Sequence, residues 1–404
     1  MGIFACLLIL CWGFLASKLV NGGLLSSHAA GPTFDVMTFG AVGDGKTDDT
    51  KAFMAAWKAA CNQGTINPKV SVQQGKTYLV NQIQFEGPCR SPSITFEILG
   101  TIIAPPKAAW TSKNPDFWLS FYHINGLNVV GNGIGVVNGQ GSYWWATATG
   151  DATGRPTAMR FGNCTTLQVS GLKHVNSPRN HVTLYYCKGV NIANIHINAP
   201  QTSPNTDGIN TGHSTDIHIH DSIIETGDDC VAVSGGTSNV NITHVTCGPG
   251  HGISIGSLGQ NGENDEVQGI SVSSCTFKGT ENGVRIKTWQ GGSGFARNIS
   301  FSDITLIAAD NPIIIDQFYC NGKICQIAKA SAVKVSDVTY TRIHGTTICR
   351  KNAAINLSCS STVPCTNIIL NNINITAVAS YPTPFARCVN AQAKVNLTVP
   401  PLKC

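Results

Sequence analysis

One strand pattern recurs along the chain and limits its possible folds more than any other feature. The pattern reads apolar-x-apolar-x-x-apolar-x-apolar. Close copies begin at Val190, Val240, Ile270, Ile299, Val333 and Ile368, and looser copies begin at Leu127, Leu167 and Ile217. Successive copies start roughly 23 to 40 residues apart, which matches one coil of a β-solenoid with loops of variable length.

A β-sandwich or a β-propeller would also contain many short strands. Their antiparallel hairpins favour two-residue Asn-Gly or Asp-Gly turns between matched strands, whereas similar strands here return only once per period. Charged residues make up 12% of the chain and 42 of its 404 residues are glycine, a composition that suits a turn-rich β-protein. The sequence therefore predicts an all-β protein folded as a right-handed parallel β-helix.

A solenoid needs covered ends, and residues 48–61, DDTKAFMAAWKAAC, predict a capped amphipathic helix that closes the N-terminal end. Its apolar face would consist of Phe53, Met54, Ala56, Trp57, Ala60 and Cys61. The chain contains no convincing linker. We therefore predict a single β-helix domain over residues 24–404.

Residues 1–23 are predicted to be a secretory signal peptide. The apolar run IFACLLILCWGFLA at 3–16 is too short to span a bilayer comfortably, and small residues follow it. A retained N-terminal anchor is the alternative, and no later segment of the sequence could cross a membrane. The net charge of +5 is spread without a Lys/Arg block, which argues against nucleic-acid binding but favours approach to a polyanion.

Sixteen cysteines become fourteen once Cys6 and Cys11 leave with the signal peptide, and an even number in a secreted chain predicts disulfides. Plausible local bridges are Cys320–Cys325, Cys359–Cys365 and Cys388–Cys404. Glycosylation sequons occur at Asn163, Asn241, Asn298, Asn356, Asn374 and Asn396.

The acid pair Asp228 and Asp229, in TGDDC, belongs to a second set of short strands that follow the repeats. These strands align from a shared first position, occupied by Asn180, Asp207, Asp229, His251, Asn282 and Asn311. Neighbours in such a parallel stack lie about 4.8 Å apart. The alignment predicts a polar column that contains Asp207, Asp229 and His251, with Asp228 directly before it.

Alternation along these strands predicts one side facing the core and one side facing a cleft. The core side would contain Ile209, Val231, Val233, Ile253, Ile255, Val284 and Ile286. The cleft side has small residues, with the cations Arg285 and Lys287 at its edge. Glycines beside the column predict a bend that turns the acids toward the cleft.

Three clustered carboxylates repel one another, which raises at least one pKa. Such a set suits glycoside hydrolysis, in which one acid donates a proton and a carboxylate activates water. Arg285 and Lys287 need an anion between them, and a uronic acid carboxylate would satisfy both. An Asp pair in isolation is more often a turn cap or a calcium ligand, but the shared column favours a catalytic site.

The motifs SPNTDGI at 203–209, TGDDC at 226–230, GPGHGISIGSLG at 248–259 and RIK at 285–287 occur in this order. In these motifs the chain resembles the polygalacturonases of glycoside hydrolase family 28, and the similarity extends from residue 34 to residue 320. It is most similar to the plant branch, and TW after RIK is similar to pollen-type members. The resemblance implies a right-handed parallel β-helix and hydrolysis of α-1,4 links between galacturonic acids of pectin, with inversion.

The resemblance also implies a role for each motif residue. Asp228 would be the general acid, Asp207 and Asp229 would activate water, and His251 would tune the protonation of the acid. The substrate-binding residues would be Arg285, Lys287, Asn205 and Tyr319. Inversion predicts acid-to-base carboxyl separations of about 6.5 to 9.5 Å.

No metal or organic cofactor is expected, and we expect a secreted, monomeric enzyme of the cell wall. Whether it attacks chain ends or interiors is left open. Two alternatives remain: a pectate lyase, which would use calcium and an arginine base, and a non-catalytic pectin-binding wall protein that retains the cleft.

Overall fold

The computed structural model describes residues 31–404 apart from 112–114, 147, 149–153, 321–332 and 350–352. Within these residues the chain winds into a right-handed parallel β-helix, as predicted. Its described strands form one sheet of eighteen and one of eleven. The predicted signal peptide, residues 1–23, lies outside the described residues.

The smaller sheet consists of the short strands that follow the repeats. Its members, numbered in chain order over both sheets, are β5 (Ile83–Glu86), β8 (Phe117–Tyr122), β10 (Thr157–Gly162), β12 (Val182–Tyr185), β15 (Ile209–Gly212), β17 (Val231–Val233), β19 (Ile253–Leu258), β22 (Asn282–Trp289), β24 (Asn311–Tyr319), β26 (Ile355–Ser358) and β28 (Ala386–Val389). Each coil contributes one of these strands, so residues distant in sequence become neighbours along the axis.

The larger sheet contains the repeats themselves. Its members are β1 (Thr33–Asp35), β2 (Asp44–Asp48), β3 (Lys69–Val72), β4 (Thr77–Leu79), β6 (Ile94–Ile98), β7 (Thr101–Ile103), β9 (Leu127–Asn138), β11 (Thr165–Val175), β13 (Lys188–Ala193), β14 (His196–Asn198), β16 (Thr215–Glu225), β18 (Ser238–Cys247), β20 (Asn264–Ser273), β21 (Thr276–Lys278), β23 (Ser293–Ala309), β25 (Lys334–Thr347), β27 (Cys365–Ala377) and β29 (Ala391–Val399). Apolar residues of both sheets meet in one core cluster inside the coils.

The predicted repeats stack in register from Leu127 to Ile299, but the copy placed at Val333 was wrong. Ile299 pairs with Val338, and Val338 pairs with Ile368. Residues 333–343, VKVSDVTYTRI, fit the complete pattern from Val333, and the first three apolar positions of the pattern fit a second frame from Val338. Only the stacking of complete coils selects the later frame.

The predicted capping helix is α1 (Thr50–Cys61), which packs against β1, β3 and β5 at the N-terminal end. Its predicted apolar face is buried except for Met54, which is half-buried. Asp49 does not cap the helix with its side chain, because its carboxylate accepts from the backbone N–H groups of Val42 and Gly43.

The other described helices are short: α2 (Ser142–Trp145) and the 3-10 helices Val36–Phe39, Lys107–Ala109 and Gln260–Gly262. No helix among the described residues has the length and apolar character needed to cross a membrane.

The disulfides were predicted only in part. Cys359–Cys365 and Cys388–Cys404 are confirmed, while Cys325 of the third predicted pair lies outside the described residues. The sequence did not indicate two further bridges, Cys61–Cys89 and Cys230–Cys247. Cys164, Cys187 and Cys275 are buried in the core and form no disulfide. Buried thiols of this kind pack as small apolar side chains.

Candidate active site

The polar column exists as predicted. The strands of the smaller sheet pair at Val182–Ile209, Ile209–Val231, Val231–Ile253 and Ile253–Val284. Because the register is continuous, the residues two positions earlier also stack, which places Asp207, Asp229 and His251 on successive coils. The apolar residues predicted for the core side are all fully buried.

Asp228 and Asp229 lie in a bend between β16 and β17 rather than within a strand. Gly227 is required there because a Cβ atom would lie 2.0 Å from the carbonyl oxygen of Ser203 on the previous coil. Gly252, beside His251, has a φ of 87°, in the left-handed region that favours glycine. The glycines therefore permit close backbone approach and a turn at the edge of the cleft.

The bend opens onto a cleft with a volume of about 520 Å³. All eight site residues predicted from the sequence line this cleft: Asp207, Asp228, Asp229, His251, Arg285, Lys287, Asn205 and Tyr319. The lining is mainly polar. The parallel coils thus bring together residues spread over more than one hundred positions of the chain.

Asp229 is almost fully buried and is held by two cations. Its Oδ1 accepts from Arg285 Nη2 at 2.8 Å and from Ser254 Oγ at 2.8 Å, and its Oδ2 accepts from Lys287 Nζ at 2.8 Å. Burial raises the pKa of Asp229, but Lys287 and Arg285 outweigh it and hold the pKa below its ordinary value. In this structure the anion between the two cations is therefore Asp229 itself, which the sequence did not indicate.

Asp207 is the acid of the cluster whose pKa is raised. It is half-buried, and its Oδ2 accepts from Asn210 Nδ2 at 3.1 Å. Burial, followed by the charges of Asp228 and Asp229, raises the pKa of Asp207 to about 8. The predicted repulsion within the acid cluster is present, but it acts most strongly on Asp207.

His251 joins two acids. Its Nδ1 lies 2.9 Å from Asp228 Oδ1, and its Nε2 lies 3.2 Å from Glu281 Oε2. Burial opposes protonation of His251, but the hydrogen bond and charge of Asp228, aided by Glu281, raise its pKa overall. Sequence reasoning missed Glu281, although it precedes Asn282 of the column as Asp228 precedes Asp229.

Asn205 is oriented by a buried arginine that sequence reasoning also missed. Arg155 Nη2 donates to Asn205 Oδ1 at 2.6 Å, which leaves Asn205 Nδ2 to face Asp228 Oδ2 at 3.4 Å. At the opposite end of the cleft, Lys287 Nζ lies 5.2 Å from the ring centre of Tyr319. Arg155 carried no sequence signal, because its motif GRPT lies well before the column.

Asp228, Asp229 and His251 have donor atoms within 4.8 Å of one another, a spacing that a metal ion could use. However, Asp229 already binds Arg285 and Lys287, and the raised pKa of His251 favours the imidazolium, which cannot ligate. The donor set therefore disfavours a cation.

Asp228 and Asp229 each have a carboxylate oxygen within 4.8 Å of the other. This distance joins single oxygen atoms rather than whole carboxyl groups, so the predicted acid-to-base separation stays a prediction. Because these residues are adjacent and turn to the same side of the bend, their spacing gives no indication of inversion.

Comparison with known proteins identifies the family of this chain. The family described as Glycosyl hydrolases family 28 matches residues 61–397. A probable polygalacturonase of Arabidopsis thaliana is 45% identical over 92% of this chain and 80% of its own length. A polygalacturonase of Chamaecyparis obtusa is 42% identical over 91% of this chain and 71% of its own length.

A solved structure with the same fold is the endo-xylogalacturonan hydrolase of Aspergillus tubingensis. It has a TM-score of 0.76 and 24% identity, and the match covers 88% of this chain and 98% of that chain. At this identity the likeness shows the fold alone. The family match and the plant relatives together establish that the chain belongs to glycosyl hydrolase family 28.

Proposed function

We propose that this protein is a polygalacturonase that hydrolyses α-1,4 bonds between galacturonic acid residues of pectin. The observation that carries the proposal is the convergence of Asp207, Asp228 and Asp229 in one polar cleft with Arg285 and Lys287. Carboxylates supply the proton donor and the water-activating base, and the cations suit an acidic sugar polymer. The plant relatives support this substrate class because they are named polygalacturonases.

In this proposal Asp228 is the general acid. It is half-buried at the cleft surface, with Asn205 and His251 within hydrogen-bonding distance of its two oxygens. The glycosidic oxygen leaves poorly as an alkoxide, so it needs a proton as the bond breaks. His251, whose raised pKa favours its cationic form, fixes the orientation of the Asp228 carboxyl group and helps to control its protonation.

Asp207 and Asp229 activate the attacking water together. Because the three carboxyl groups interact, their protons belong to the cluster rather than to one residue. The raised pKa of Asp207 keeps one proton in the cluster at mildly acidic pH. Catalysis requires that proton on Asp228, so substrate binding must move it from Asp207.

We further propose that the reaction proceeds with inversion. A retaining enzyme would need a carboxylate free to attack the sugar carbon. Asp229 is a poor nucleophile because its oxygens accept from Arg285, Ser254 and Lys287. Orienting a water molecule requires less of the remaining hydrogen-bonding capacity of Asp229 than attack on the sugar carbon would. Proton NMR of the first product should show the β-anomer, opposite to the α-configuration of the cleaved bond. An α-anomer as the first product would exclude inversion.

Substrate carboxylates would contact Arg285 and Lys287, with Tyr319 beside them and Asn205 near the acid. Arg285 uses Nε on Ser254 and Nη2 on Asp229 in this structure, which leaves Nη1 for a ligand. Lys287 has three donors and uses one on Asp229. Both cations can therefore bind a substrate carboxylate without releasing Asp229.

Two substrates with different leaving groups test the roles. Asp228→Asn should lower turnover of polygalacturonate by about 10²- to 10⁴-fold. It should lower turnover of nitrophenyl α-galacturonide far less, because nitrophenolate leaves without a proton. Asp229→Asn should impair both substrates, and Asp303→Asn, on the outer surface, is the control. Equal losses for Asp228→Asn on both substrates would show that the acid is assigned wrongly.

The same incubation separates the rival activities. A lyase would produce ultraviolet absorbance from an unsaturated product and would lose activity with a chelator, whereas hydrolysis releases reducing ends without either effect. A non-catalytic wall protein would release nothing. Product sizes over time would decide between attack at chain ends and attack within the chain.

We also propose that the protein is secreted to the cell wall, with residues 1–23 removed as a signal peptide and 24–404 forming one catalytic domain that acts as a monomer. Disulfides support an oxidising route. Among the sequon residues, Asn356 is half-buried and the others are exposed: Asn163, Asn241, Asn298, Asn374 and Asn396. Mass spectrometry of the mature protein would give its N-terminus and its glycosylated residues.

A further inference from the structure

Arg179 lies in the candidate active site but was not indicated by any motif. It directly precedes Asn180 of the polar column, in the same relation that Asp228 has to Asp229. The pairings Val182–Ile209 and Ile209–Val231 place Arg179 two coils from Asp228, which is roughly 10 Å along the axis. Arg179 lines the same cleft as the three acids.

The cations of the cleft therefore lie on both sides of the acids. Arg285 and Lys287 belong to β22, two coils toward the C-terminal end from Asp229, and Arg179 lies one coil toward the N-terminal end from Asp207. A linear polyuronide along the axis would place carboxylates on both sides of the cleaved bond. Each side of the cleft thus offers a cation to one of them.

Arg179 differs from the other two cations in its pairing. Arg285 and Lys287 share Asp229, whereas no carboxylate among the described residues forms an ion pair with Arg179. Its Nε is buried and has no hydrogen-bond partner in the described part of the chain. Arg179 as a whole is half-buried in the lining of the cleft, so a ligand carboxylate that enters the cleft can pair with its guanidinium.

The backbone around Arg179 is held from both sides. Arg155 Nη1 donates to the carbonyl oxygens of Pro178 at 3.0 Å and Pro204 at 2.6 Å, and Ser177 Oγ donates to the carbonyl oxygen of Asn180 at 2.8 Å. Arg155 itself is 4% exposed. A preorganised backbone reduces the entropy lost when the guanidinium binds a ligand.

We propose that Arg179 binds the carboxylate of the galacturonate ring on the N-terminal side of the cleaved bond, opposite the ring held by Arg285 and Lys287. This inference rests on the proposed function. It makes Arg179 a specificity residue that favours free acid over methyl ester at that ring. A planar guanidinium suits a carboxylate because it can donate two parallel hydrogen bonds.

The test compares wild type, Arg179→Gln, Arg179→Lys and the control Arg297→Gln on polygalacturonate. Arg297 is exposed and donates to Gln268 on the larger sheet, away from the cleft, so its substitution makes the same charge change. Arg179→Gln should lower kcat/KM by about 10- to 100-fold, mainly through KM. Arg179→Lys should recover part of the loss because it keeps the charge but not the two-fold geometry.

The salt dependence of KM is a second readout, and it would not differ between the variants if Arg179 had only a structural role. Raising the salt concentration from about 0.05 to 0.5 M should narrow the difference in KM between wild type and Arg179→Gln, because screening weakens an exposed ion pair. The proposal is wrong if Arg179→Gln matches Arg297→Gln, or if its loss lies in kcat with KM unchanged. Failure of the proposed function itself would appear separately, as a wild type that releases no reducing ends.

Discussion

Replacing Asp207 with asparagine should stabilise the protein at neutral pH and change its stability little at acidic pH. The pKa of Asp207 is about 8 in the folded protein against an ordinary value of 3.8. Between these two values the folded chain holds a proton that the unfolded chain lacks. The contribution of Asp207 to the free energy of unfolding is therefore fully present below about pH 4, and it is lost as the pH rises through the pKa of the folded state. Asparagine has no such proton to lose.

The size of the effect follows from the shift. Each pKa unit corresponds to about 1.4 kcal/mol, so the full shift gives an upper limit near 5 kcal/mol at pH 7.5. Asp207 is only half-buried and shares its proton with two neighbours, which reduces the expected value to about 2 to 3 kcal/mol. For a chain of this length we expect the melting temperature of Asp207→Asn to exceed that of wild type by roughly 3 to 5 °C.

The assay is thermal unfolding at one scan rate, at pH values of about 4, 6 and 7.5. The matched control is Asp303→Asn. Asp303 is an exposed carboxylate whose hydrogen bond to Arg342 lowers its pKa, so its loss should slightly destabilise the protein at neutral pH. The reasoning is refuted if the Asp207→Asn difference is the same at all three pH values, or if the variant melts below wild type at pH 7.5.

Three further predictions concern groups around the acids. Lys287→Met should raise the pKa of Asp229 and move the acidic limb of the kcat/KM profile upward by about 1 to 3 units; an unmoved limb would show that Lys287 does not hold Asp229 ionised. Arg155→Gln should lower kcat/KM about tenfold or more by releasing two cleft loops, and full activity in a folded variant would contradict this. Replacing Cys230 and Cys247 together by serine opens a link across 17 residues beneath the acids and should lower the free energy of unfolding by about 3 kcal/mol in urea titration.

The stacking of the site was predictable because coil length is visible in the sequence. Asp207, Asp229 and His251 each lie two residues before one of three equally spaced strands, and a parallel stack with that spacing has only one register. The copy at Val333 shows the limit of this reasoning. Where apolar residues fit two frames, sequence alone cannot choose, and Val338 is selected only when the neighbouring coils are in place.

The partners of the charged groups were not predictable in the same way. Lys287 reaches Asp229 across two coils, and the direction of a long side chain is not encoded in strand alternation. Which acid retains the proton depends on burial and on all neighbouring charges at once, so the strong shift at Asp207 needed coordinates. Glu281 could have been predicted from the sequence, because it directly precedes a residue of the column, as Asp228 does.

Because each coil contacts only its immediate neighbours, the length of the surface available to a polymer depends on the number of coils. Beyond the coil of Asp229, the smaller sheet continues through β19, β22, β24, β26 and β28, and it extends the other way through β15, β12, β10, β8 and β5. Adding or removing a terminal coil would change how many sugar residues this surface can bind. It would not change the residues that carry out the chemical step. Among relatives, the affinity for long polymers can therefore change without a change in how the glycosidic bond is cleaved.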